Sequence, residues 1–215
     1  MKIYLDSCDV EAIKKYKELG IIDGVTTNPS IIAKSGRDFK KVINEICAII
    51  DTSVSVEVIA TEYQAMISEA QELSNIASQI TIKLPITEDG LRACKTLSDK
   101  SIAVNMTLCF SPTQALLAAK AGATYVSPFI GRLDDMGRDG LALVADICAI
   151  YQNYPEISTQ ILAASIRTPI HIIEVAKLGV DVMTLPPKLI STMINNPLTE
   201  KGIEIFLNDW AKVKS

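Results

Sequence analysis

Apolar, β-branched runs recur along the chain at intervals of 22 to 34 residues. They read "KIYLDS" near residue 2, "GVTTN" near 24, "VSVEVIA" near 54, "ITIKLPI" near 80, "IAVNMTL" near 102, "YVSPFI" near 125, "TQILAAS" near 159 and "VMTLPP" near 182. Short runs of this kind, apolar almost throughout, are how strands buried on both faces read. Each interval holds a stretch with apolar residues at helical spacing, such as "DVEAIKKYKEL", "DFKKVINEICAII" and "LALVADICAIY". Strands alternating with helices imply βαβ units and a parallel sheet. Eight units in 215 residues predict one closed (β/α)8 barrel, at the lower end of that fold's size range.

Punctuation agrees with this layout. Asp9, Thr61 and Ser111 are placed to cap helices, and Gly20, Gly122 and Gly179 fall where helices should end. No proline- or serine-rich linker interrupts the chain, so 1–215 is one domain. "NPLTEKGIEIFLNDWAKV" then adds an amphipathic helix over about 197–213 that either packs on its own barrel or meets a neighbouring subunit.

The polar positions break the pattern. Thr26 and Asn28, Asn105 and Thr107, and Ser127 with Phe129 stand two apart, so each pair shares a strand face. Their neighbours Val25, Val104, Met106 and Leu108 would then face the outer helices. Asp6, Glu57, Lys83 and Ser165 sit singly on four further strands. A barrel interior is normally filled with branched apolar side chains. Polar groups there cost free energy unless paired, so a ring of them from seven strands points to a site at the C-terminal ends of the strands.

Lys83, inside "ITIKLPI", is the most informative member. Desolvation in such a strand disfavours an ammonium, and a neutral lysine attacks carbonyls to form a Schiff base. The iminium is an electron sink for carbon–carbon cleavage, and Asp6 or Glu57 could supply the acid/base. Two alternatives stay open: Asp6 can cap the first helix, and Glu57 can pair with Lys83 as a buried ion pair. No metal or cofactor is called for. Arg132 after the sixth strand, with Ser165 and Arg167 after the seventh, are placed for phosphate, which barrels often bind beyond their late strands.

Composition narrows the partners. The net charge is −4 with no basic cluster, which argues against nucleic acid. No apolar run approaches bilayer length. "MKIYLDSCD" meets acidic residues at once, and with five scattered cysteines a cytoplasmic protein with reduced thiols is expected.

Across "GVTTNPSIIAKSG", "IKLPIT", "NMTLCFSPTQALLAAKAGATYVSPFIGRLDD", "AASIR" and "NPLTEKGIEIFLNDW", the sequence resembles the small bacterial transaldolases, which are similar to the fructose-6-phosphate aldolases. The resemblance implies that Lys83 is the Schiff-base lysine and Asp6 the acid/base of carbon–carbon bond chemistry. It implies that Glu57 works with Thr107 through a water. Thr26, Asn28, Asn105 and Ser127 would contact a dihydroxyacetone unit, and Arg132, Ser165 and Arg167 would form the site for the sugar's phosphate. The implied reaction moves that unit from a ketose phosphate to an aldose phosphate in the non-oxidative pentose phosphate pathway. The implied assembly is a homo-oligomer, a decamer of two pentamers. The aldolases commonly carry tyrosine where this chain has Phe129, and glutamine where it has Glu57; both positions here are similar to the transaldolases. Cys8 and Thr168 depart from the family pattern, and Cys8 would bring an oxidisable thiol close to Asp6. The rival expectations are a fructose-6-phosphate aldolase and a catalytically inactive phosphosugar-binding barrel.

Overall fold

The computed structural model describes residues 1–213. Eight strands, β1 (Lys2–Asp6), β2 (Gly24–Thr26), β3 (Ser53–Glu57), β4 (Ile80–Pro85), β5 (Val104–Cys109), β6 (Tyr125–Pro128), β7 (Gln160–Ala163) and β8 (Val182–Leu185), close into one barrel in sequence order. Every neighbouring pair is parallel, including β1 with β8. Eleven helices surround them among the described residues: α1 (Val10–Glu18), α2 (Pro29–Ser35), α3 (Phe39–Ile49), α4 (Tyr63–Ser74), α5 (Glu88–Ser98), α6 (Pro112–Lys120), α7 (Ile130–Asp134), α8 (Gly140–Gln152), α9 (Pro169–Lys177), α10 (Pro187–Ile194) and α11 (Pro197–Val213). The protein is a (β/α)8 barrel with an added C-terminal helix, as its periodicity predicts. The two longest sequence intervals each accommodate a pair of helices, α2 with α3 and α7 with α8.

Strand alternation divides the side chains into two sets. Leu5, Val25, Val54, Val56, Ile82, Leu84, Val104, Met106 and Val126 join the shell between strands and helices, all at zero exposure. The inward set is small and mixed: Tyr4, Tyr125, Leu162 and Val182 form the lower interior. There the Tyr4 and Tyr125 hydroxyls lie 3.1 Å apart, and the rings meet edge-on at 6.2 Å between centroids. Gly24 makes room for this plug. A Cβ at that position would come within 2.7 Å of the Tyr4 ring and of the Ser53 carbonyl.

Helix ends follow local chemistry. Asp9 caps α1, its carboxylate accepting from the amides of Glu11 and Ala12, and Ser111 caps α6 by accepting from Gln114. Gly20, Gly122 and Gly179 follow helices with φ of 67°, 86° and 75°, where a left-handed turn needs glycine. Two expectations are corrected. Thr61 is not the cap of α4, because the N-cap falls one residue later at Glu62, which makes no side-chain cap hydrogen bond. Leu108 does not simply face outward: the register between β5 and β6 shifts between Met106 and Cys109, leaving Leu108 partly buried at φ 58°. Bulges of this kind re-aim side chains and are frequent beside active sites.

Of the two placements open to the C-terminal helix, burial against its own barrel is not what is observed. None of the described residues of α11 is buried, and Leu198, Phe206 and Leu207 stand 77%, 74% and 65% exposed. No helix among the described residues is long and apolar enough to cross a membrane.

Candidate active site

A cavity of about 230 Å³ opens at the C-terminal ends of the strands. Asp6, Thr26, Asn28, Lys83, Asn105 and Ser127 line its depth, and Phe129, Arg132, Ser165 and Arg167 its mouth. Ten of the twelve site residues expected from the sequence thus converge on one space. Glu57 and Thr107 are not in the lining. Each lies close behind it.

Lys83 is 5% exposed, and its Nζ lies 2.9 Å from Glu57 Oε2. Strand register explains the pairing. Glu57 sits directly opposite Lys83 on β3, and Asn105 opposite Lys83 on β5, so all three inward positions are neighbours across the sheet. Nζ also donates to the Thr27 carbonyl at 3.3 Å. The ion pair left open by the sequence is therefore present. The pair also gives the ammonium a direct proton acceptor. Thr107, two residues beyond Asn105 on the same face, is fully buried, and its hydroxyl oxygen has no hydrogen-bond partner among the described residues.

Asp6 does not cap α1; that task belongs to Asp9. Its Oδ1 instead accepts a 2.8 Å hydrogen bond from Thr26, its neighbour across β1 and β2. Burial raises its carboxyl above the ordinary carboxylate range. The Thr26 hydrogen bond and the Lys83 charge oppose that rise, and Glu57 adds to it.

On the far wall, Ser127 donates to Asn105 Oδ1 at 2.7 Å, and Asn105 Nδ2 donates to Ser55 at 3.3 Å. This chain fixes which way the Asn105 amide faces. Asn28 has two tasks: its side-chain oxygen caps α2 through the Ile31 amide while the residue lines the cavity.

The mouth is built from α7 and the turn after β7. The Arg132 guanidinium lies 5.0 Å from the centre of the Phe129 ring, which packs edge-on against Phe110. Arg167 forms an ion pair with Asp135, and its backbone amide donates to His171 Nδ1 at 3.4 Å. His171 Nε2 in turn lies 3.2 Å from Asp134. Gly131 is required here, since a Cβ would come within 2.6 Å of Arg167 Nε and of the Ser165 carbonyl. Ser165 itself holds φ 57°, a strained conformation of the kind that clusters at functional sites.

The sequence reading missed Thr184, Leu162 and Ala164, which also line the cavity, and Ser55, which holds Asn105. Strand alternation was the available signal: Thr184 is two residues from the inward Val182, and Ser55 two from Glu57. Among the described residues, no three His, Cys, Asp or Glu side chains gather into a group that could hold a metal. Of the two departures from the family pattern, Thr168 caps α9, and Cys8 is buried with its thiol 3.5 Å from the Ile31 carbonyl.

Comparison with known proteins identifies the lineage. Among solved structures, a thiamine phosphate pyrophosphorylase from Pyrococcus furiosus superposes with a TM-score of 0.55 over 86% of this chain and 85% of its own, at 16% identity, which speaks to the shared barrel alone. A probable transaldolase of Roseobacter denitrificans is 57% identical over 212 residues, covering 99% of this chain and 97% of the relative. A probable transaldolase of Nitrosopumilus maritimus is 52% identical over 215 residues, covering 100% of this chain and 97% of the relative. The sequence model of the transaldolase/fructose-6-phosphate aldolase family matches residues 3–215. With a closed parallel barrel and a lysine–carboxylate pair beneath its cavity, this chain belongs to the transaldolase/fructose-6-phosphate aldolase family.

Proposed function

We propose that the protein is a transaldolase working through a Schiff base on Lys83. The observation that carries this reading is the buried Lys83–Glu57 pair at the base of a cavity that also holds Asp6. Glu57 takes a proton from the Lys83 ammonium, and the neutral amine adds to the carbonyl of a ketose phosphate. Loss of water gives the iminium. The Thr107 hydroxyl, buried without a hydrogen-bond partner among the described residues, is suited to hold that water with Glu57. Asp6 then accepts the proton of the β-hydroxyl while the bond between the α and β carbons breaks. Its electron pair moves onto the iminium nitrogen, an aldose phosphate departs, and a three-carbon enamine stays on Lys83. Attack of that enamine on the aldehyde of an incoming aldose phosphate runs the step in reverse, and hydrolysis frees the new ketose phosphate.

Donors of the sedoheptulose 7-phosphate or fructose 6-phosphate type and acceptors of the erythrose 4-phosphate or glyceraldehyde 3-phosphate type complete the reading. It places the enzyme in the cytoplasm, in the non-oxidative pentose phosphate pathway. Thr26, Asn28, Asn105 and Ser127 contact the transferred unit, and Arg132, Arg167 and Ser165 the phosphate; the location of the two arginines at the mouth supports this. Phe129 offers no hydroxyl to the enamine, which favours transfer over release of free dihydroxyacetone.

The test is borohydride reduction in the presence of fructose 6-phosphate, followed by intact mass and peptide mapping. A three-carbon adduct on Lys83 that disappears when erythrose 4-phosphate is added first is the expected result. An intact, folded protein that forms no adduct overturns the mechanism and leaves a phosphosugar-binding barrel.

The same reading includes a homo-oligomer, a decamer of two pentamers, supported by the unburied apolar residues of α11. Sedimentation velocity of the full chain tests it, and a monomer at micromolar concentration rules it out.

A further inference from the structure

Thr26 has one hydroxyl proton, and its oxygen lies within hydrogen-bond distance of two groups. Asp6 Oδ1 is 2.8 Å away and Thr184 Oγ1 is 2.7 Å away. An ionised carboxylate can only accept, so the Thr26 proton is committed to Asp6. The Thr184 contact must then use the proton of Thr184, and the direction of the chain is fixed: Thr184 donates to Thr26, and Thr26 donates to Asp6.

The topology makes this a three-strand arrangement. β1 lies between β8 and β2, and Thr184 is in register with Tyr4, one inward position deeper than Asp6. Hydroxyls from the two flanking strands thus meet over the strand that carries the carboxylate. Both threonines are closed off from bulk solvent, at 2% exposure for Thr26 and 5% for Thr184, so water competes little for these protons. Among the described residues, Thr184 makes no other side-chain hydrogen bond.

We propose that Thr184 is a positioning residue for carbon–carbon cleavage, holding Thr26 oriented and polarised as the donor to Asp6. The inference rests on the transaldolase reading, which makes Asp6 the base. A donor behind Thr26 strengthens its hydrogen bond to the ionised carboxylate. It also leaves the second carboxylate oxygen as the one that takes the substrate proton. The charged groups that act on Asp6 are Lys83, which favours its ionised form, and Glu57, which opposes it. Thr184 hydrogen-bonds to neither among the described residues, so it acts on cleavage and leaves imine formation alone.

Those two steps can be read separately. Borohydride added during turnover of fructose 6-phosphate traps the six-carbon ketimine that precedes cleavage and the three-carbon adduct that follows it. Wild-type protein is run first, and the absence of any adduct there defeats the underlying mechanism, whatever Thr184 does. Given wild-type adducts, Thr184→Val, which keeps the shape and removes the hydroxyl, should trap the same total amount of adduct. The balance should move toward six carbons, kcat should fall about 3- to 10-fold, and the acidic limb of the kcat profile should move to higher pH. Thr184→Ser should restore all three. Should Thr184→Val fail to fold, as judged by its circular dichroism melt, Thr184→Ala carries the same expectations. A hydroxyl-free variant with wild-type adduct balance and pH profile overturns the proposal. So does a Thr184→Ser variant as impaired as Thr184→Val, since that would make the methyl group the part that matters.

Discussion

Lys83 Nζ and Glu57 Oε2 are 2.9 Å apart, with side chains 7% and 16% exposed, on directly opposed positions of β4 and β3. Removing one partner of such a pair leaves the other buried and uncompensated.

Lys83→Met therefore has two expected effects. Activity falls by at least about four orders of magnitude, as when a covalent nucleophile is lost, and no adduct is trapped. Stability falls by as much as about 3–5 kcal/mol, the range for breaking a buried ion pair. Thermal melts of Lys83→Met with Glu57→Gln check the second effect. The double variant, lacking the stranded carboxylate, should melt above the single Lys83 variant while staying inactive. A double variant no more stable than the single one would show that Glu57 is solvated without its partner.

Asp6 gives a pH prediction with a definite sign. Its folded carboxyl binds a proton more tightly than in the unfolded chain, with burial as the main cause. Stability contributed by the protonated form is full at low pH and is lost as pH rises through the folded value. Asp6→Asn, which cannot ionise, should melt above wild type at pH 8. The gap should close below about pH 4, where unfolded aspartates are also protonated. Turnover should drop by about 10²- to 10⁴-fold, the usual contribution of a general acid/base. Equal melting temperatures at pH 8 would mean that the ionised Asp6 is fully compensated by Thr26 and Lys83.

The barrel was legible in the sequence because strands buried on both faces read as apolar runs whose spacing the intervening helices regulate. Lys83, Asp6 and Asn105 were legible because a polar residue in such a run has few reasons to be there. Thr184 was not. A single threonine in "VMTLPP" is an ordinary strand residue until β8 is seen to close against β1. The Asp135–Arg167 pair was hidden for a similar reason: two exposed charges in loops 32 residues apart carry no signal until α7 and the β7 turn meet. Leu108 was misplaced because strict alternation does not foresee a bulge.

Phe129 supplies a test of reaction outcome. It lines the cavity between Phe110 and Arg132 and carries no hydrogen-bonding group. Phe129→Tyr introduces a hydroxyl that can hold the water protonating the enamine. Free dihydroxyacetone should then appear from fructose 6-phosphate without any acceptor, measured by a coupled glycerol dehydrogenase assay, and transfer to erythrose 4-phosphate should fall. A variant that binds substrate normally but releases no dihydroxyacetone would remove Phe129 as the determinant of transfer.

If Arg167 holds the substrate phosphate as proposed, Asp135 bears on phosphate affinity. Its carboxylate pairs with the Arg167 guanidinium, and the pairing holds the Asp135 carboxyl below the ordinary range. Under the proposed function a substrate phosphate would have to share or displace this partner, so Asp135 would weaken binding while keeping Arg167 at the mouth. The pair is about half exposed, so its strength is modest. Asp135→Asn keeps a hydrogen-bond acceptor for Arg167 and removes the competing charge. KM for fructose 6-phosphate should fall about 2- to 5-fold, matching an exposed pair worth under about 1 kcal/mol, with kcat little changed. Raising ionic strength should narrow the difference, because salt screens exposed charges. Arg167→Met should move KM the opposite way. If Asp135→Asn instead raises KM, the carboxylate's hold on the orientation of Arg167 outweighs its competition with phosphate.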